Sequence, residues 1–197
     1  HEVSSLCIIM CLLKWGKIRK EITSRAIMIK RVMIMGRSGS GKSTFAYKLH
    51  QKTNLPLYHL DKYFFTDAWQ ERKYEEFIAI QQELVNQEQW IIDGNSTKSF
   101  EMRYKKADIC LYFNCSRSCC YIRVFKRLFC KNKRIQDRAP NCPEKVSWSL
   151  LTYMWGFEHR VNPILNRLKE TYPHVQLIEV RNKKDLIALQ DRYDWNE

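Results

Sequence analysis

Gly36-Arg37-Ser38-Gly39-Ser40-Gly41-Lys42-Ser43 meets the spacing G-x-x-x-x-G-K-[ST] at every position. These residue types are suited to holding phosphate. Glycines at 36, 39 and 41 let the backbone curl until successive N–H groups point into one concavity. Lys42 adds a positive charge on a flexible stem, and the Ser43 hydroxyl is of the kind that ligates Mg²⁺. Ser38, Ser40 and Thr44 complete the expected cradle. The dinucleotide pattern G-x-G-x-x-G fails, because Thr44 stands where its third glycine would fall. The stretch predicts a site for ATP with Mg²⁺.

Two carboxylates fall where phosphoryl-transfer chemistry would use them. Asp93 closes the apolar run Trp90-Ile91-Ile92, where a second carboxylate meets Mg²⁺ or its water. The plain alternative is a turn aspartate before Gly94. Asp61 follows Leu57-Tyr58-His59-Leu60, and a carboxylate there could take a proton from an acceptor hydroxyl or hold it in line. An aspartate that merely caps the chain before Lys62 is the equal alternative. His59, two residues earlier, is expected at the core or its rim.

Arg123, Arg127, Lys131 and Arg134 recur at helical spacing, and Arg138 follows. A basic flap closing on the triphosphate would surround its equatorial oxygens with cations and exclude water. The expected catalytic set is therefore Lys42, Asp61, Arg127, Arg134 and Arg138. A solvated basic face, or one that touches nucleic acid, is the competing reading.

The elements that position these groups alternate between strand and helix, as in a parallel sheet with crossover helices. Strands are expected at 31–35, 57–60, 90–92, 109–113 and 175–180. Helices are expected at 43–51, 71–87, 118–129 and 183–192. A long helical stretch is expected from Pro143 to Glu170, bent before Pro163. Along it Trp148, Tyr153, Trp155 and Phe157 are expected to pack rather than stack bases. The sum is one three-layer α/β domain over residues 28–197.

Composition bounds the partners. At 197 residues with 45% hydrophobic content, one globular domain is the expectation. The formal net charge is +13, which suits polyanions: nucleotides, nucleic acid or an acidic membrane surface. Eight cysteines show no CxxC pair, which excludes a zinc site of recognisable spacing and points to reduced thiols in a cytoplasm. Cys115, Cys119 and Cys120 are expected to fill core rather than bind metal.

Residues 1–27 differ from the rest. Leu6 to Leu13 is apolar but far too short to span a bilayer, and its basic residues follow rather than precede it. The segment is expected to be a poorly ordered extension, with a membrane-surface helix as the alternative.

In order along the chain stand GRSGSGKST, HLDKYF, WIIDGNS, Arg103 before Ala107-Asp108, and the basic run Arg123–Arg138. From Met28 onward this resembles the adenylate kinase-related P-loop kinases often labelled DNA topology modulation proteins. The resemblance implies a five-stranded parallel sheet of order 2-3-1-4-5 with a mobile lid. Asp93-Gly94 is similar to the start of the D-G-F-P-R motif of adenylate kinases, but Asn95-Ser96-Thr97 replaces F-P-R. The arginine that grips a nucleoside monophosphate is thus missing from its usual place, and Arg103 is the candidate substitute. Asp61 resembles the carboxylate of P-loop kinases that phosphorylate hydroxyls.

Two functions follow. One is a kinase passing the γ-phosphoryl of ATP to a small-molecule acceptor, nucleotide or hydroxyl-bearing. The other is a nucleotide-regulated DNA-binding protein without kinase activity, although no helix-turn-helix, zinc finger or RNA-binding aromatic motif is visible.

Overall fold

The computed structural model describes residues 29–66, 70–129 and 146–195. Residues 1–27, expected as an extension, and Lys131, Arg134 and Arg138 of the expected flap lie outside the described residues.

Strand β1 (Arg31–Gly36) leads into helix α1 (Lys42–Thr53), then β2 (Leu57–His59) and a short helix α2 (Leu60–Phe64). Helix α3 (Tyr74–Val85) precedes β3 (Trp90–Asp93), a 3₁₀ turn at Thr97–Ser99 and the short α4 (Phe100–Tyr104). Then come β4 (Ile109–Phe113), α5 (Arg117–Phe129), α6 (Trp148–Trp155), α7 (Phe157–Thr171), β5 (Gln176–Val180) and α8 (Lys183–Tyr193). The five strands form one parallel sheet, as the strand–helix alternation predicts, in the order β2-β3-β1-β4-β5 that the resemblance implies.

Continuous apolar runs make the three central strands. Parallel strands are covered on both faces, so both sets of alternating side chains must be apolar. In β1, Val32 and Ile34 face one layer, with Phe45, Ala46 and Leu49 of α1 and Leu189 of α8. Met33 and Met35 face the other, with Phe77 and Leu84 of α3 and Phe157, Val161 and Leu165 of α7. Burial of each such side chain stabilises the fold by roughly 1.5–3 kcal/mol.

The topology sets the position of the site. From β1 the chain crosses to the β2 edge, returns through β3 and passes beyond β1 to β4. The order therefore reverses at β1, and the crevice of an open α/β sheet lies at the carboxyl end of such a strand. Gly36 to Gly41 leave β1 there.

Three expectations need correction. β2 stops at His59, whose register partner is Asp93, the last residue of β3. Beyond it an edge strand has nothing to pair with, so Leu60 begins a helix and Asp61 lies in that helix's first turn. The next helix starts at Tyr74 rather than Glu71, because Glu71 pairs with Phe65 in an antiparallel bridge. Thr66 N donates to Gln70 O and Arg72 N to Phe64 O, both at 2.8 Å. The long helical stretch breaks at Gly156, not before Pro163. Glycine is a poor helix former, and Pro163, though poorer still, sits on the exposed face of α7, where water can satisfy the carbonyl one turn back.

A candidate phosphate-binding and transfer site

The loop after β1 has the geometry its glycines foretell. Gly39 adopts φ +80°, and a Cβ there would stand 2.4 Å from the carbonyl oxygen of Cys120 on α5. Any side chain would force loop and helix apart, so only glycine lets them close. Gly41 is the left-handed residue that opens α1, whose first turn carries Lys42, Ser43 and exposed Thr44 with no acidic residue. The free N–H groups of that turn and the helix dipole favour an anion in the concavity.

Two side chains absent from the sequence-derived site fix this loop. Asn95, just past β3, accepts from Gly36 N at 3.0 Å and donates to Gly36 O at 2.6 Å. Its amide closes the entrance of the loop as a paired strand residue would. Arg37, inside the loop, is 1% exposed. Its guanidinium donates to Met154 O at 2.9 Å, to Cys115 O at 3.1 Å and to the Glu158 carboxylate. The loop is thereby tied to the start of α5 and to the α6–α7 junction. Asn95 was visible in the sequence only as a departure from the F-P-R pattern. An arginine in a glycine-rich loop gives no signal that it points inward.

Asp93 lies where the strand order demands, opposite Ile34 on β1 and 3% exposed. Its Oδ2 accepts from His59 Nδ1 at 3.0 Å, while Oδ1 is buried with no well-formed hydrogen bond among the described residues. Burial acts to raise its pKa. The hydrogen bond from His59 and the nearby Lys42 charge, with a further contribution from the Ser43 hydroxyl, outweigh burial and hold the carboxyl below its usual range. An ionised carboxylate with one orphaned oxygen, beside a buried serine hydroxyl, suits a hard divalent cation that keeps most of its waters. Ser43 and Asp93 therefore fit Mg²⁺. His59 is the missed member of this pair, since it was expected only to fill core or rim.

A cleft of about 1070 Å³ opens against the loop. Of the phosphate loop it touches only Ser38 and Lys42, and Asp61 and Arg127 stand on its walls. Asp61 is exposed on the first turn of α2, and Arg127 is half-buried on α5. Burial first, and the Asp61 charge further, raise the phenol of Tyr153 on α6 against the opposing effect of Arg160. Gly94 makes this approach possible. With φ +150° it passes under α2 so closely that a Cβ would stand 2.6 Å from that of Leu60. Arg123 is not on the cleft wall but donates Nη1 to Ser40 O at 3.2 Å, bracing the loop from outside.

Other expected residues are placed elsewhere. Arg103 is wholly enclosed, donates to Gly94 O at 3.0 Å and Ser96 O at 2.8 Å, and has its pKa lowered to about 10 by burial. It holds the 94–96 turn and cannot substitute for a phosphate-gripping arginine. Trp148 and Trp155 do not pack the helix: they are 80% and 63% exposed. Phe157 is buried as expected, and Tyr153 lines the cleft. Cys110 and Cys120 are buried free thiols, the former with its pKa pushed up to about 12 by burial. No cluster of three or more His, Cys, Asp or Glu able to hold a metal occurs among the described residues. No described helix is long and apolar enough to cross a membrane.

No family model matches the sequence, and no curated protein matches it significantly. Solved structures do match the fold. A shikimate kinase from Acinetobacter baumannii, in complex with shikimate, superposes with a TM-score of 0.55 at 13% identity. That match covers 85% of this chain and 94% of the other. The shikimate kinase from Bacteroides thetaiotaomicron gives 0.50 at 16% identity, covering 84% and 99%. The chain has the fold of these P-loop kinases.

Proposed function

We propose that this protein is an ATP-dependent kinase that transfers the γ-phosphoryl group to the hydroxyl of a small-molecule acceptor. The observation that carries this reading is the cleft against the phosphate loop whose walls include Lys42, Asp61 and Arg127.

The loop amides and the α1 N-terminus hold the β-phosphate, with Lys42 reaching the β- and γ-phosphates. Ser43 and Asp93 would hold Mg²⁺, which would supply positive charge to offset that of the triphosphate. Asp61 accepts the proton of the acceptor hydroxyl as its oxygen bonds to the γ-phosphorus. The bond from that phosphorus to the bridging oxygen breaks, and ADP carries the electron pair away. Arg127 stabilises the charge on the equatorial oxygens, and Arg134 and Arg138 are assigned the same task from the basic segment that follows α5. Ser38, Ser40 and Thr44 complete the phosphate cradle.

The order of motifs supports kinship with adenylate kinase-related enzymes, yet an acceptor phosphate finds no arginine at the expected position. A hydroxyl is therefore the favoured acceptor. The test is acceptor-dependent ADP release across nucleosides, nucleotides and small alcohols. Tight ATP binding without release for any acceptor would count against the assignment.

A further inference from the structure

The cleft beyond the γ-phosphate is larger than a small alcohol needs. It has about the volume of a drug-sized ligand site and touches the phosphate loop only at Ser38 and Lys42. Most of it is therefore available to the acceptor. Among its described walls are five aromatic side chains from three elements and the segment between two of them. Phe64 packs edge-on against Phe65 at 4.8 Å and against Phe77 at 5.1 Å, which fixes its ring as a wall. Tyr74 stands at 38% exposure at the start of α3, and Tyr153 faces the cleft from α6.

Charge narrows the class further. Two carboxylates, Asp61 and Glu71, line the chamber. They accept from hydroxyl and N–H donors and repel an acceptor that bears phosphate or carboxylate. The cations on the far side are engaged. Arg72 donates to Tyr63 O at 2.9 Å and pairs with Glu76 at 3.6 Å, while Lys98 lies 5.1 Å over the Tyr74 ring. Arg103 is enclosed behind the 94–96 turn. Aromatic walls return only weak contacts to the hydroxyls of a polyol, whereas a flat heterocycle can stack on them.

We propose that the acceptor is an uncharged nucleoside, its base seated among Phe64, Tyr74 and Tyr153 and its sugar hydroxyl presented to Asp61. This rests on the kinase reading above. The base supplies the stacking face, the two carboxylates meet its donors, and the hydroxyl takes the phosphoryl group.

The full chain is assayed with ATP and Mg²⁺ for ADP release against adenosine, uridine, thymidine, AMP, glucose and shikimate, with ATP affinity measured in parallel. At least one nucleoside is turned over and the other three acceptors are not. Tyr74→Ala, a change at a partly exposed position, raises the nucleoside KM about tenfold and leaves the KM for ATP unchanged. Phe64→Leu does the same and keeps an apolar side chain where alanine would leave a void. Turnover confined to glucose, shikimate or AMP overturns the nucleoside while leaving the kinase reading standing. Nucleoside turnover unaffected by both variants overturns the seating of the base. ATP binding with no turnover of any of the six overturns both readings.

Discussion

His59 Nδ1 lies 3.0 Å from Asp93 Oδ2, across the register position where β2 and β3 both end. Because the Asp93 carboxyl is held ionised, the bonding ring nitrogen must carry the proton. One oxygen of Asp93 is thus fixed by a neighbour in the sheet, and the other is left buried without a well-formed hydrogen bond among the described residues. A carboxylate buried this deeply would otherwise tend to take up a proton, and a protonated Asp93 could not serve a cation.

Replacing His59 tests this directly. In His59→Leu, burial is opposed only by Lys42 and Ser43, so the Asp93 pKa rises and the variant is less stable at pH 7 by about 1–3 kcal/mol. The sign follows from the depressed pKa. The unfolded carboxyl titrates near its ordinary value of 3.8, and the folded one titrates below it. The stabilisation is present above pH 3.8 and lost as pH falls through the folded pKa. Urea midpoints of both proteins between pH 7 and pH 3 should show a gap that is steady near neutrality and begins to narrow at the acid end. Equal midpoints at pH 7 would mean that His59 contributes nothing to the pair.

Lys42→Ala should weaken ATP binding by roughly 1.5–3 kcal/mol and abolish phosphoryl transfer. The loop amides remain, so some affinity survives. Isothermal titration reads the first effect and ADP release the second. Wild-type affinity in the variant would remove Lys42 from the phosphate site.

Asn95→Ala removes both hydrogen bonds at Gly36 and leaves two backbone groups at the loop entrance without partners. The expected cost is about 1–3 kcal/mol in folding stability, with a parallel loss of ATP affinity as the loop loosens. Thermal melting with and without ATP separates the two. A variant that melts earlier yet gains as much from ATP as the wild type would show that Asn95 supports the fold alone.

What the sequence reveals depends on whether a residue's role is set locally. The strands were legible because Val32 to Met35 and Ile109 to Phe113 are continuous apolar runs, and a parallel sheet is buried on both faces. The phosphate loop was legible because its conformation is written into three glycines. The end of β2 was not, since it is decided by where β3 stops offering partners. Gly156 and Pro163 illustrate the same limit: which of them breaks the helix depends on which face α7 turns to the core. Arg103 read as a candidate phosphate-gripping cation and Arg37 carried no reading of its own, yet both are buried. Trp148 and Trp155 read as packing residues and are exposed.

Asp61 separates the two functional readings. Its carboxylate stands on the wall of the cleft that also touches Lys42 and Arg127, so it can reach an acceptor bound beside the γ-phosphate. Asp61→Asn keeps the shape and removes the base. ATP affinity should be unchanged, because Lys42, Ser43 and the loop amides are intact, while acceptor turnover should fall by roughly 10²–10⁴-fold. A DNA-binding protein gated by ATP would behave otherwise. Its affinity for DNA would be indifferent to Asp61→Asn, would fall steeply with salt, and would depend on Arg123 and Arg127. Both can be measured on one preparation, with an acceptor assay beside a DNA titration at two salt concentrations. Turnover that survives Asp61→Asn would remove Asp61 from the transfer step. Tight DNA binding abolished by Arg127→Ala would replace the kinase with the DNA-binding reading.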